Sequence, residues 1–139
     1  MKTIDILKKL ISIPSVFPNE QEISEFIYSY LKDQNFKVKK IKTDNNRYNL
    51  VATFGQKDKY LGFYGHIDTV SRDEISENSP YVLKMKEDTA WGLGVEDTKG
   101  AISVILKTAE FAAKEKLPIK IILGVDEENI SKGAHDLVN

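Results

Sequence analysis

The chain has 139 residues, about the size of one ordinary domain, and its 20 basic and 21 acidic side chains leave a formal net charge of -1. That balance offers no electrostatic footprint for a nucleic acid or an anionic membrane surface. There are no cysteines, which excludes disulfides, a thiol nucleophile and thiolate-held zinc, so any metal must sit on histidine and carboxylates.

At the N-terminus, Asp5 and the pair Lys8-Lys9 interrupt any signal-peptide core, and no apolar run approaches membrane-spanning length. A soluble, cytoplasmic protein is expected. Ile4, Leu7, Leu10 and Ile11 fall at helical spacing, and Pro14 ends that helix because the residue before a proline avoids the helical region. From Asn19 a second helix carries the stripe Ile23, Phe26, Ile27, Tyr30 and Leu31, with Glu20 and Glu22 placed to complement its first turn. Phe36 to Lys42 alternates apolar residues with lysines, as a half-exposed strand whose lysines protect an edge.

Asp44 to Arg47 reads as a turn, followed by a strand from Asn49 to Phe54. Leu61 to His66 is a further strand, apolar enough to be central in a sheet. Tyr81 to Met85 and Thr89 to Trp91 form a small hairpin around Glu87-Asp88. Gly100 to Lys114 is a helix with Ile102, Ile105, Leu106, Ala109 and Ala113 on one face. Ile119 to Val125 is a buried strand, and Ser131 to Asn139 begins another helix. This order predicts an α/β fold: three layers, α/β/α, around a mixed, mostly parallel sheet whose core strands end at His66 and Val125. No repeat, low-complexity segment or linker divides the chain.

Three polar groups stand out. His66-x-Asp68 closes one predicted strand, where open α/β sheets bind ligands, and both side chains point to one side of an extended segment. A carboxylate so placed can orient the imidazole and strengthen it as a ligand, although a polar loop with a chance His-x-Asp reads the same way. Gly92-x-Gly94-x-x-Asp97 precedes a helix. Asp97 or Thr98 could equally be that helix's N-cap, and the glycines fit neither a dinucleotide fingerprint nor a phosphate loop. Asp126-Glu127-Glu128 follows the strand ending at Val125. Adjacent acids can divide cation binding from proton transfer, or simply complement the dipole of the next helix.

Taken in order, Gly65-His66-x-Asp68-Thr69-Val70, Gly92-x-Gly94-x-x-Asp97-x-Lys99-Gly100 and Asp126-Glu127-Glu128 with Gly133-Ala134 resemble the M20 family of dinuclear zinc hydrolases. That family includes aminoacylase, carboxypeptidase G2, succinyl-diaminopimelate desuccinylase and acetylornithine deacetylase. The resemblance implies metal-dependent hydrolysis of an amide bond in a peptide or N-acyl amino acid. It makes His66, Asp97 and Glu128 metal ligands, with Asp97 bridging two zinc ions, cobalt or manganese being chemically possible in their place. It makes Glu127 the general acid/base and Asp68 the partner of His66, and it implies a cis peptide after Asp97. Leu93 stands where the family commonly has Arg, and Val95, Thr98 and Ile130 also depart from its pattern without removing a ligand.

The resemblance further implies that residues 1–139 are the N-terminal portion of a catalytic domain. The remaining ligands and a lid or dimerisation domain would then lie beyond Asn139, since His135 reads as an exposed helix residue. Alone, the chain is expected to be inactive, to bind zinc weakly and to self-associate through an uncovered edge. The expected substrate is a small peptide or acyl-amino acid, with no nucleic acid or membrane partner. The competing reading is a non-catalytic remnant or interaction module that keeps the fold and not the reaction.

Overall fold

The computed structural model describes residues 1–71 and 79–138. Its elements are α1 (Thr3–Ser12), α2 (Gln21–Asp33), β1 (Lys37–Asp44), β2 (Arg47–Phe54), β3 (Leu61–His66), β4 (Lys84–Lys86), β5 (Thr89–Trp91), α3 (Gly100–Glu115), β6 (Ile119–Gly124) and α4 (Lys132–Val138). They agree with the sequence expectations to within a few residues at each end; Asn139 lies outside the described residues.

Four strands form one sheet in the order β1-β2-β6-β3, and β4 and β5 pair separately as the expected hairpin. The fold is α/β and the sheet is mixed, but the expectation of mostly parallel strands needs correction. β1 with β2 and β2 with β6 are antiparallel, and β3 with β6 is parallel. The cause is local. Asn45 and Asn46 take φ of 26° and 68°, the left-handed conformations that a two-residue hairpin turn needs, so β2 folds straight back along β1. β3 and β6 are separated by α3, and a helical crossover returns the chain parallel.

The placement of β3 is a second correction. Among the described residues it pairs with β6 alone and so lies at an edge, with Leu61 64% and Tyr64 55% exposed. β6 is central, as expected. β1 forms the opposite edge, and Lys37, Lys39 and Lys40 along it are exposed, as edge protection requires.

One core holds the fold together. Ile6 and Leu10 of α1, Ile23, Ile27 and Leu31 of α2, and Ile102, Leu106 and Ala109 of α3 pack on one face of the sheet against Leu50, Ala52, Ile119, Ile121 and Leu123. Ile4, expected in the α1 stripe, is exposed, and Ile6 takes its place inside. The other face carries α4 at one end, where Asn49 donates from Nδ2 to the Gly133 carbonyl oxygen at 2.9 Å. Gly133 permits that close approach: a Cβ there would overlap the Val125 carbonyl. Away from α4, Val51 and Ile122 on the same face are only half-buried. No helix among the described residues is long and apolar enough to cross a membrane.

Candidate metal centre

The parallel pair β3 and β6 brings the ends of two strands to one edge of the sheet, with His66 opposite Gly124. His66 is the last residue of β3, and Glu127 and Glu128 follow β6 by three and four residues. Asp97 arrives from the turn Val95–Lys99 that leads into α3. That turn is bent sharply, and the peptide after Asp97 is cis, as the resemblance implied. Gly94, at φ 77°, lets it pass close to Thr69: a Cβ there would stand 2.8 Å from the Thr69 methyl carbon.

His66, Asp97 and Glu128 converge, with one donor atom from each lying within 4.8 Å of the others. His66 Nε2 is 2.8 Å from Asp97 Oδ1. Asp97 therefore does not serve as the N-cap of α3; the residue at that position is Lys99, and no side chain caps it. Glu127 stands beside the group, its Oε2 3.8 Å from His66 Nε2. The other imidazole nitrogen, Nδ1, is 3.2 Å from the Asp68 main-chain carbonyl oxygen and 3.4 Å from Asp68 Oδ1. Asp68 thus orients the ring through its carbonyl as well as its carboxylate, and Oδ2 accepts the Glu128 N–H at 2.9 Å. His135 is exposed on α4, outside the convergent group.

The electrostatics favour a cation. Burial works to lower the His66 pKa, but the hydrogen bonds and charges of Asp68 and Asp97 outweigh it and hold the imidazole up at about 9. Burial raises the Glu128 carboxyl above its ordinary value, and the charges of Asp97, Glu127 and Asp68 add to that against the opposing effect of His66. Asp68 goes the other way: burial would raise its carboxyl, yet the hydrogen bonds from His66 and from the Glu128 and Glu127 N–H groups hold it low. Apart from this approach to His66 Nδ1, Asp68 Oδ1 is buried without a hydrogen-bond partner. Nitrogen and oxygen donors held this close suit a divalent metal ion.

Sequence reasoning found every member of this group and missed what braces it. Lys99 is 1% exposed and donates from Nζ to the Ile13 carbonyl oxygen at 2.8 Å, tying the Asp97 turn to the segment after α1. Burial pushes its ammonium down to about 8. Asn49 accepts the Val125 N–H at 3.1 Å as well as donating to Gly133. Arg47 and Glu20, read as a turn residue and a helix-start acid, are buried and paired with each other. A charged residue in a half-polar segment gives no sign of which way it will point, so only chain contacts reveal these roles.

Comparison with known proteins gives the family and the fold. Residues 62–139 match the family described as Peptidase family M20/M25/M40. Succinyl-diaminopimelate desuccinylase of Orientia tsutsugamushi (strain Boryong) is 38% identical over 76% of this chain and 28% of its own length. Acetylornithine deacetylase of Buchnera aphidicola subsp. Acyrthosiphon pisum (strain APS) is 30% identical over 97% of this chain and 38% of its own. The chain thus spans between about a quarter and two-fifths of these curated relatives. In fold it is similar to the crystal structure of human carnosine dipeptidase 1, with a TM-score of 0.83 and 20% identity over 99% of this chain and 34% of that one. With a match extending over more than half its residues, through nearly all of β3 and the whole of β6, this chain belongs to the Peptidase family M20/M25/M40.

Proposed function

We propose that the protein to which this chain belongs hydrolyses an amide bond in a peptide or N-acyl amino acid, using a water activated at a two-metal centre. The convergence of His66, Asp97 and Glu128 beside Glu127 carries this reading. When bound there, zinc, or cobalt or manganese in its place, would supply the Lewis acidity that acidifies water and polarises a carbonyl. His66, Asp97 and Glu128 would hold the metal, each offering one donor atom to the same point. Asp68 keeps His66 turned so that Nε2 faces the site. Glu127 takes a proton from the attacking water and returns it to the nitrogen of the leaving amine as the C–N bond breaks. A cleft of about 380 Å³, bounded in part by Val70, Trp91 and Val95, opens beside Asp97 and Glu128 and gives the substrate an apolar wall.

The reading also makes residues 1–139 the N-terminal portion of the catalytic domain. Three side chains cannot complete two coordination shells, so the remaining ligands would come from the rest of the protein. The test uses the full-length protein, stripped with a chelator and resupplied with zinc, cobalt or manganese, against N-acetyl and N-succinyl amino acids and dipeptides. Hydrolysis should vanish on stripping and return with metal, and His66→Ala should bind less metal. The 139-residue chain should be inactive in the same assay. Metal-independent turnover, or none with any substrate at full metal content, would overturn the proposal.

Self-association of the 139-residue chain goes with this reading. The outer edge of β3 carries no strand among the described residues, and unpaired edge groups are a template for a second copy. Light scattering over a concentration series should show mass rising with concentration. A clean monomer at high concentration would refute it.

A further inference from the structure

The acids after β6 sit on a turn, and the structure shows what holds that turn. Asp126 is 1% exposed with φ 71°, and its carbonyl oxygen accepts the Ser131 N–H at 2.7 Å to close the loop. Its carboxylate faces away from the candidate centre. Oδ2 accepts the Lys132 N–H at 2.9 Å, at the start of α4, and Oδ1 accepts Arg47 Nη2 at 3.0 Å. Asp126 thus serves the helix start that the acidic run was expected to serve, which leaves Glu127 and Glu128 free to face His66.

Arg47 is itself fixed from three sides. Nε donates to Glu20 Oε2 at 2.8 Å and Nη2 to Glu20 Oε1 at 2.6 Å, a two-point clasp. The guanidinium carbon lies 4.5 Å from the centre of the Phe17 ring. Glu20 is 0% exposed and Arg47 3%. A planar, forked cation with three carboxylate partners, of which Glu20 and Asp126 are buried and Asp44 is partly exposed, has one orientation available, and that orientation delivers Nη2 to Asp126. The turn is pinned twice, by Arg47 on Asp126 and by Asp68 on the Glu128 N–H, and Glu127 stands between the pins.

We infer that Arg47, clasped by Glu20, is a positioning residue that acts through Asp126 to set where Glu127 and Glu128 stand relative to His66. This rests on the proposed metal centre. It assigns Arg47 no contact with substrate or metal, only control over the shape of the acidic turn.

The test separates positioning from plain stability. In the full-length protein, Arg47→Lys keeps the charge and loses the fork, and Asp126→Asn keeps the shape and loses the charge that Arg47 holds. Phe36→Leu is the control, because Phe36 packs on Phe54 at the far end of β2 from Arg47. Zinc affinity is read by competition with a chromophoric chelator at a temperature where each variant is folded, and the cobalt-substituted proteins are compared by visible absorption. Arg47→Lys and Asp126→Asn should bind zinc about 10–100-fold more weakly, the range for changes behind a metal ligand, and should shift the cobalt bands. Phe36→Leu should lower the melting temperature and leave zinc affinity unchanged. Wild-type zinc affinity in both Arg47→Lys and Asp126→Asn would overturn the inference and leave the metal centre standing. A wild-type protein that binds no zinc would instead remove the metal centre, and this inference with it.

Discussion

Exchange of Glu127 for glutamine in the full-length protein should lower turnover by about 10²- to 10⁴-fold, the usual contribution of a positioned general base, with bound metal unchanged. Glutamine matches glutamate in volume and still hydrogen-bonds, but it cannot accept a proton from water at neutral pH. The expectation of intact metal content follows from position. Glu127 is outside the group whose donor atoms converge, its Oε2 is 3.8 Å from His66 Nε2, and its side chain is 46% exposed. Steady-state kinetics and elemental analysis of the same preparation decide the matter. A glutamine variant with near-normal turnover would remove Glu127 from the proton path, and one that loses metal would recast it as a ligand.

Glu20→Ala should cost about 3–5 kcal/mol of folding stability, as removing one partner of a buried ion pair does. Glu20 and Arg47 lie at 0% and 3% exposure, so the guanidinium left behind cannot turn to water without opening the packing between α2 and β2. Asp126 and Asp44 would still contact Arg47, the latter at 3.2 Å, but neither replaces a two-point clasp. Against a typical total of about 5–15 kcal/mol, the loss is large enough to see as a urea midpoint lower by about 1 M or more. Glu20→Gln, which retains hydrogen bonding without the charge, should fall between. An alanine variant that unfolds within about 0.5 kcal/mol of wild type would show that the pair contributes no net stability, as some buried pairs do not.

The two parts of the molecule differed in how far the sequence revealed them. Apolar spacing marked α1, α2, α3 and β6, because each buries one stripe or one face in a single core, and it marked β3, which gives that core only the half-buried Phe63. The three acid and histidine groups were visible because each follows a strand or enters a helix, and chain order alone sends such positions to one edge of a sheet. What spacing could not supply was neighbourhood. A strand as apolar as Leu61–His66 reads as central, yet among the described residues its outer edge is unpaired and Leu61 and Tyr64 are exposed, because apolar character does not say which strands flank it. Arg47 meets partners 27 and 79 residues away, distances at which no local pattern survives. The Asn45-Asn46 turn carried a hairpin signal that accounts for the antiparallel pairing of β1 and β2.

The uneven exposure of the candidate centre gives it a floor and a rim. His66 and Asp68 lie at 8% and 0% side-chain exposure, whereas Asp97 and Glu127 stand at 69% and 46%. Anything that enters must come from the side of the exposed acids. Their field reaches into solvent and draws cations in, over a range that dissolved salt shortens to about 8 Å at physiological ionic strength. Departure would depend also on the floor, where buried contacts with Asp68 hold His66 and salt screens far less. Arrival and escape would therefore answer to the medium in different measure, capture following the salt more closely than residence does.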